Sequence, residues 1–502
     1  AGYDETLSSF DYAAYLQDRW ALRRDLYVNA GLRWELQDLR DIYGRSRAVI
    51  ADNVAPRLGV VYDWTSRGLS RLYANYGRYY QPLPLQLNSR VFGGLVNVGR
   101  SYVPRDCEAQ STSLDGVAHP REGDRSQPTE WCVDRAEFTT GLFPGAVVPR
   151  LRGSFNRQLQ LGYEHEVIED LVLGVRWLHS QLGRAVEDVS PNAGLDFVLA
   201  NPGVGVSERE LADQRGRCEA LTEELDALAD AGDQRGELGR ELARCEFLLA
   251  AYAAVDRSFA RPKRTFDALS FQLRKRFANN WLLLATYTYS RLRGNYDGFV
   301  DPVTGAINLG ASVQYDVPEL IVNSQGPLAG DIPHRLELDA FYTFDLRTAG
   351  RLTIGTRLRV ESGWAISHRV DPTLDRYRGS FANYLLPRGS GGRIDPNYQW
   401  NLSLDYAYPL PRDLVIELGA RVLNVTNARS TLRVDEVYSN DRARPIAGGD
   451  LDDLRHAKVA RPRGGDAAAP YARDLLTPQR NYGVATRFQQ PISAQFELAL
   501  RF

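Results

Sequence analysis

Apolar and polar residues alternate one by one over stretch after stretch of this 502-residue chain, and that period constrains the fold more than any other feature. From 413 to 424, Leu414, Ile416, Leu418, Ala420 and Val422 alternate with Val415, Glu417, Gly419, Arg421 and Leu423. From 335 to 345, Leu336, Leu338, Ala340, Tyr342 and Phe344 oppose Arg335, Glu337, Asp339, Phe341, Thr343 and Asp345. From 398 to 408, Tyr398, Trp400, Leu402, Leu404, Tyr406 and Tyr408 oppose Gln399, Asn401, Ser403, Asp405 and Ala407. The chain closes the same way, with Ile492, Ala494, Phe496, Leu498, Leu500 and Phe502 on one face. A period of two puts alternate side chains on opposite faces of a β-strand. Further stretches fall near 10–22, 25–37, 54–66, 69–80, 153–168, 170–182, 265–278, 280–293 and 351–363, so thirteen strands are expected.

The connections alternate in length as well. Short links lie around 23–25, 65–69, 168–170, 278–280, 348–350 and 409–411, and long segments at about 38–53, 81–152, 183–264, 294–331, 364–394 and 427–485. Successive links of an up-and-down antiparallel sheet lie at opposite ends, so one end is trimmed and the other overgrown. That rhythm suits a transmembrane barrel with brief periplasmic turns and large extracellular loops. A soluble β-sandwich is the competing architecture. Its strands run to about 5–6 residues, whereas these run to about 11–15, and a tilted membrane strand needs about 9–11.

One face of these strands is also too charged for a dry core: Arg274, Arg276, Arg335, Glu337, Asp339, Arg357, Arg359, Glu361, Asp405, Glu417 and Arg421 share a side. Burying such ions costs several kcal/mol each even after relaxation. That side is expected to face a water-filled or protein-filled lumen, and the apolar side to face lipid. Trp20, Trp34, Trp64, Tyr76, Trp177, Tyr287, Tyr289, Tyr398, Trp400, Tyr406 and Tyr408 cluster near strand ends, where interfacial girdles form.

Composition narrows the function classes. A net charge of -2 with 25% charged residues points to neither nucleic acid nor an anionic membrane surface. The longest apolar runs, such as Phe247 to Val255 and Trp281 to Ala285, fall short of the roughly 20 residues of a membrane helix. The first residues, AGYDETLSSF, lack the basic and apolar segments of a secretory signal, so residue 1 is expected to be a processing or truncation point.

The four cysteines form two pairs, each inside one long connection. Cys107 and Cys132 bracket a Pro-, Ser-, Asp- and Gly-rich stretch. Cys218 and Cys245 lie in the helix-like region, where Ser207 and Glu210 make a capping box. There Leu211, Cys218, Leu221, Leu225 and Leu228 follow 3–4 spacing, as do Leu238, Leu242, Cys245, Leu249 and Tyr252 after Ala231-Gly232-Asp233. Two amphipathic helices meeting at that turn make a hairpin over 207–255 with a shared apolar seam. The midpoint of 218 and 245 falls in the turn, which sets the sulfurs opposite each other. Disulfides Cys107–Cys132 and Cys218–Cys245 are therefore expected, in keeping with an oxidising cell surface. Buried free thiols are the alternative. A metal site is disfavoured, because no CxxC occurs and the six His are scattered.

In order and spacing, LYVNAGLRWE, NVAPRLGVVYDW, GRYYQ, DALSFQLRKRF, LLATYTYSRL, DIPHRLELDAFY, LGARVLNVTNA and the closing LALRF resemble the C-terminal barrel portion of TonB-dependent outer-membrane receptors, nearest the Oar-like branch. The resemblance implies that 1–502 is the C-terminal portion of an all-β, antiparallel up-and-down barrel in the bacterial outer membrane. It implies extracellular loops at 81–152, at 183–264 and at 427–485. It also implies that Phe502 belongs to the signal read by the barrel-insertion machinery. Such receptors have an N-terminal plug and about 22 strands. Neither the plug nor about nine of those strands is visible here, so a missing N-terminal part or a second chain is expected to complete the barrel.

The resemblance further implies uptake of a large polar ligand, energised by the TonB–ExbB–ExbD complex, with outer-membrane lipid as surroundings and a surface lipoprotein as a possible partner. No cofactor is implied. A passive porin of fourteen to eighteen strands, with Thr431 to Tyr438 as one more strand, is the rival; a surface adhesion barrel is a third reading. An enzyme is disfavoured, since no Ser or Asp nucleophile sits beside a positioned His. The GSGG at 389–392 lacks the GK[ST] of a phosphate loop. The Asn424 sequon and the acidic Asp450, Asp452 and Asp453 are read as unglycosylated and solvated, respectively.

Overall fold

In the computed structural model, the described residues are 7–41, 43–92, 97–99, 138–140, 146–191, 196–228, 232–257, 259–300, 305–372, 383–412, 414–459 and 475–502. Thirteen long strands follow one another through a single sheet: β1 (Ser9–Arg23), β2 (Leu26–Arg40), β3 (Ser46–Tyr62), β4 (Ser70–Gln81), β5 (Ser154–Ile168), β6 (Leu171–Arg184), β7 (Arg264–Ala278), β8 (Trp281–Gly294), β9 (His334–Asp345), β10 (Arg351–Glu361), β11 (Asn397–Pro409), β12 (Val415–Leu423) and β13 (Ser493–Arg501). Each is antiparallel to its sequence neighbour, so the sheet is an uninterrupted meander. The strands span from 9 to 17 residues, enough for the tilted crossing of about 9–11 residues. Within the described residues β1 and β13 each pair on one side, and the barrel is not closed. None of the described helices is long and apolar enough to cross a membrane.

The short turns rest on residues that tolerate positive φ. Asn279 and Asn280 sit at φ 53° and 67° between β7 and β8, as a tight two-residue hairpin demands. Gly350, at φ 90°, lets the β9–β10 turn lie against β11, because a Cβ there would come within 2.2 Å of the Ala407 carbonyl oxygen.

Register turns the alternation into two continuous faces. Trp281, Tyr342, Ile354, Leu404, Ala420 and Phe496 lie side by side across β8 to β13. This face looks outward: Tyr342 is 43% exposed, Leu404 44% and Phe496 83%. The fully buried side chains lie instead in the long connections, among them Tyr315, Leu320, Leu385, Leu386 and Leu199. A soluble sheet protein buries the apolar face of its strands. Here that face is bare and the buried core is made by the connections, as an outer-membrane barrel requires.

Three elements organise those connections. Helix α1 (Leu85–Phe92) packs Leu87, Val91 and Phe92 against Leu39, Ala48 and Ile50, and Gln37 exchanges two hydrogen bonds with the Leu83 backbone, 3.1 and 2.9 Å. Helices α2 (Glu208–Ala227) and α3 (Gly232–Arg257) form a hairpin. Short strand pairs gather the connections after β6, β10 and β12.

Two expectations change. The segment 38–53 is mostly strand: β2 runs to Arg40 and β3 begins at Ser46, with register shifts between Glu35 and Gln37 and between Leu39 and Arg40. Those shifts break the alternation in the sequence, and the extended hairpin is stabilised by distant partners in α1. Thr431 to Tyr438 adds no strand to the main sheet. Thr431–Val434 pairs with Ala485–Phe488, and Val437–Arg442 lies parallel to Arg369–Asp371, so both belong to the connection between β12 and β13.

Candidate functional site

Opposite the apolar face, one row runs Arg71, Glu164, Gly174, Gln272, Thr286, Glu337, Arg359 and Gln399 across eight strands, β4 to β11, without an apolar side chain. Its charges are matched strand to strand. Arg71 and Arg274 meet Glu164 at 2.7 and 3.7 Å, and Arg276 meets Glu166 at 3.1 Å. Arg357 meets Asp339 at 2.7 Å. Arg359 bridges Glu337 at 3.7 Å and Glu361 at 2.8 Å, and Arg335 reaches Glu361 at 3.2 Å. Nearer the end of the sheet, Arg501 meets Glu417 at 3.0 Å and Arg421 meets Glu497 at 3.9 Å. Of the eleven charged residues that alternation sets on one side, ten (Arg274, Arg276, Arg335, Glu337, Asp339, Arg357, Arg359, Glu361, Glu417 and Arg421) therefore sit in ion pairs on this face. Most of these pairs are well exposed and worth about 0–1 kcal/mol each. They serve to make a wettable, charge-balanced wall rather than to hold the sheet together.

The aromatic residues mark the borders of the other face. On β11, Tyr398 and Trp400 lie at one end and Tyr406 and Tyr408 at the other, with Leu402 and Leu404 between. Their polar tips find partners: Trp400 Nε1 donates to Thr356 Oγ1 at 2.8 Å and the Tyr406 hydroxyl to the Ala349 carbonyl at 2.6 Å. Amphipathic rings of this kind suit the boundary between hydrocarbon and water.

Above the long-connection end, the loop layer holds buried charge that alternation does not reveal. Arg388 donates two hydrogen bonds to Asp297, both at 2.7 Å, and both side chains are buried. Arg393 pairs with Asp331. These contacts tie the connection after β8 to the one after β10. Asn323 adds a third tie by donating to the carbonyls of Tyr384, Leu385 and Ile446. The Glu187 carboxylate accepts from Ser312 at 3.1 Å, and burial, reinforced by Asp188, pushes its pKa well above the carboxylate range. Residues of three connections, Asp297 and Leu328, Trp364 to Arg369 with Tyr384 and Arg388, and Leu432 to Glu436, enclose a cavity of about 250 Å³.

The hairpin keeps its capping box, with Ser207 and Glu210 satisfying each other's backbone N–H groups. Cys218 and Cys245 are joined, with Cα atoms 5.5 Å apart. Leu211, Cys218, Leu238, Cys245, Ala251, Tyr252 and Val255 are buried along or near the seam. Cys107 and Cys132 lie outside the described residues. Phe502 is fully exposed. No group of three or more metal-ligating side chains occurs among the described residues.

Residues 45–371 match the family described as outer membrane beta barrel domain. The chain belongs to that family. This outer-membrane barrel is 26% identical over 469 residues to the TonB-dependent transporter Oar of Myxococcus xanthus, a match covering 89% of this chain and 38% of that protein. The chain thus spans about two fifths of the length of the curated relative it matches. Solved structures similar to the barrel include the siderophore receptor PiuA from Acinetobacter baumannii, with 10% identity and a TM-score of 0.41 over 84% of this chain and 40% of that one. Another is the outer membrane transporter YddB from Escherichia coli, with 13% identity and a TM-score of 0.42 over 85% and 42%. The resemblance read from the sequence to the barrel portion of TonB-dependent receptors of the Oar-like branch therefore holds, and the barrel resides in the bacterial outer membrane.

Proposed function

We propose that this chain is the barrel portion of a TonB-dependent outer-membrane transporter that takes up a large polar ligand. The polar row from Arg71 to Gln399 is the observation that carries the reading: it is the wall of a lumen, and Arg274, Arg276, Arg335, Glu337, Arg357, Arg359, Glu361, Glu417 and Arg421 face that lumen. The long connections lie on the cell exterior and catch the ligand. An N-terminal plug and further strands, from the same protein or a second chain, pair with β1 and β13 and fill the bore, since an unpaired strand edge costs several kcal/mol per backbone group in hydrocarbon. Pulling on the plug by the TonB–ExbB–ExbD complex releases the ligand inward. Phe502 contributes to the insertion signal.

A plugged transporter and an open porin differ in solute flux. In liposome swelling, the full-length protein should pass little arabinose or stachyose, and a variant lacking the plug should pass both. Rapid swelling with the intact protein would favour the porin instead. The stapled hairpin α2/α3 also supports a reading as a surface adhesion barrel. That reading predicts that deleting 207–255 abolishes attachment and leaves TonB-dependent uptake intact.

A further inference from the structure

We propose that the loop-layer cavity bounded by Trp364, Tyr384, Arg369, Arg388 and Arg433 is a binding site for a small carboxylate with a compact apolar body. The proposal rests on the reading that the long connections catch the ligand, and names the chemistry of the group they hold.

Three observations point to an anion. The lining holds three guanidinium groups against two carboxylates, Asp297 and Glu436. Asp297 spends both oxygens on Arg388, at 2.7 Å each, and one Glu436 oxygen accepts from the Ser367 N–H at 2.7 Å. Arg369 makes no ion pair with a described residue, and its buried Nε–H has no acceptor. A carboxylate matches the planar fork that the Arg369 guanidinium turns to the cavity.

The rest of the lining sets the body of the ligand. Leu328, Ile366, Ile394 and Leu432 supply an apolar wall, and Arg433 and Arg369 lie 5.3 Å over the Trp364 and Tyr384 rings, fixing those rings in place. A cavity of about 150 Å³ takes benzene, so 250 Å³ takes one ring with its carboxylate and little more. A free aromatic acid and the C-terminal residue of a peptide both carry that chemistry. Because the three connections that form the cavity are joined by Arg388–Asp297 and Asn323, the site is built by the fold rather than by one mobile loop.

The test is calorimetric titration of the full-length protein, purified in detergent from outer membranes, with benzoate, benzamide, N-acetylphenylalanine and N-acetylphenylalanine amide. Each acid should bind at least about tenfold more tightly than its amide. R369Q should weaken the acids by about tenfold and leave the amides unchanged. Tighter binding of N-acetylphenylalanine than of benzoate supports a peptide terminus, and the reverse order supports a free acid. Equal binding of acids and amides, no binding up to about 10 mM, or unchanged acid binding in a folded R369Q overturns the site. If R369Q fails to fold by near-ultraviolet circular dichroism, the acid-to-amide ratio of the wild type decides. The swelling assay uses none of these compounds, so failure of the transport reading and failure of the carboxylate site register separately.

Discussion

Asp63 closes the turn after β3 by accepting from the hydroxyls of Thr65 and Ser70 and from the backbone N–H groups of Thr65, Gly68 and Ser70. Those bonds, the Thr65 hydroxyl first, hold its carboxyl far below the usual range. A lowered folded-state pKa contributes stability that is present above the unfolded value of about 4 and lost as pH falls below it. Asp63→Asn should therefore unfold at lower urea than wild type at pH 7, with the gap narrowing below about pH 4; a gap that widens in acid would contradict the assignment. Lys275 shows what alternation misses at this scale. It falls on the apolar face between Leu273 and Phe277, yet its ammonium turns back to the carbonyls of Arg276 and Ala278 at the β7–β8 turn, 2.8 and 3.4 Å away. Long basic side chains can escape hydrocarbon in this way; Leu404, at mid-strand between aromatic ends, has no such exit. Leu404→Arg should cost about 2–4 kcal/mol in a folding titration into lipid vesicles, whereas Thr286→Arg, beside Glu337 on the polar face, should be close to neutral.

Among the elements, the strands and the hairpin were legible because their determinants are local. Period-two alternation with Asn-Asn or Glu-Asp turns specifies a strand pair, and Ser207, Glu210 and the seam positions specify α2 and its partner. The extension of β2 and β3, by contrast, depends on α1 some 35 residues or more away, as the Gln37–Leu83 bonds across 46 positions show. The buried charges of the loop layer join residues as far apart as Glu187 and Ser312, 125 positions, or Asp297 and Arg388, 91 positions, and no local motif announces them. Two tests belong here. Removing the 27-residue closure with Cys218→Ser and Cys245→Ser should lower the local stability of the hairpin by about 3 kcal/mol, read as faster hydrogen exchange in α2 and α3 with unchanged exchange in β7 and β8. Burial, reinforced by Asp188, raises the folded pKa of Glu187. Its contribution is then fully present below the unfolded value of about 4.3 and lost as pH rises toward the folded one. Protection factors around 187–200, exchange rates corrected for the intrinsic pH dependence of amide exchange, should fall as pH rises above about 4.3 in the wild type and stay flat in Glu187→Gln.

For the whole molecule, the claim that orders everything else is that a bare apolar belt and a balanced ionic wall are the two sides of one sheet. The first needs acyl chains and the second needs water or a polar occupant; the buried core in the connections then becomes the roof over the bore. Sequence alone indicates this division because register in a meander carries alternation from strand to strand, so Trp281 to Phe496 and Arg71 to Gln399 assemble into rows without any further instruction. Ligand chemistry is harder to read, since it depends on where three long connections meet. The direct test places nitroxide spin labels at successive positions 401–407 on β11 in the lipid-reconstituted full-length protein and measures accessibility to oxygen and to a nickel chelate. Accessibility should alternate with a period of two, with oxygen favoured at 402, 404 and 406 and the nickel chelate at 401, 403 and 405. Equal aqueous access at every position, or the opposite phase, would contradict it.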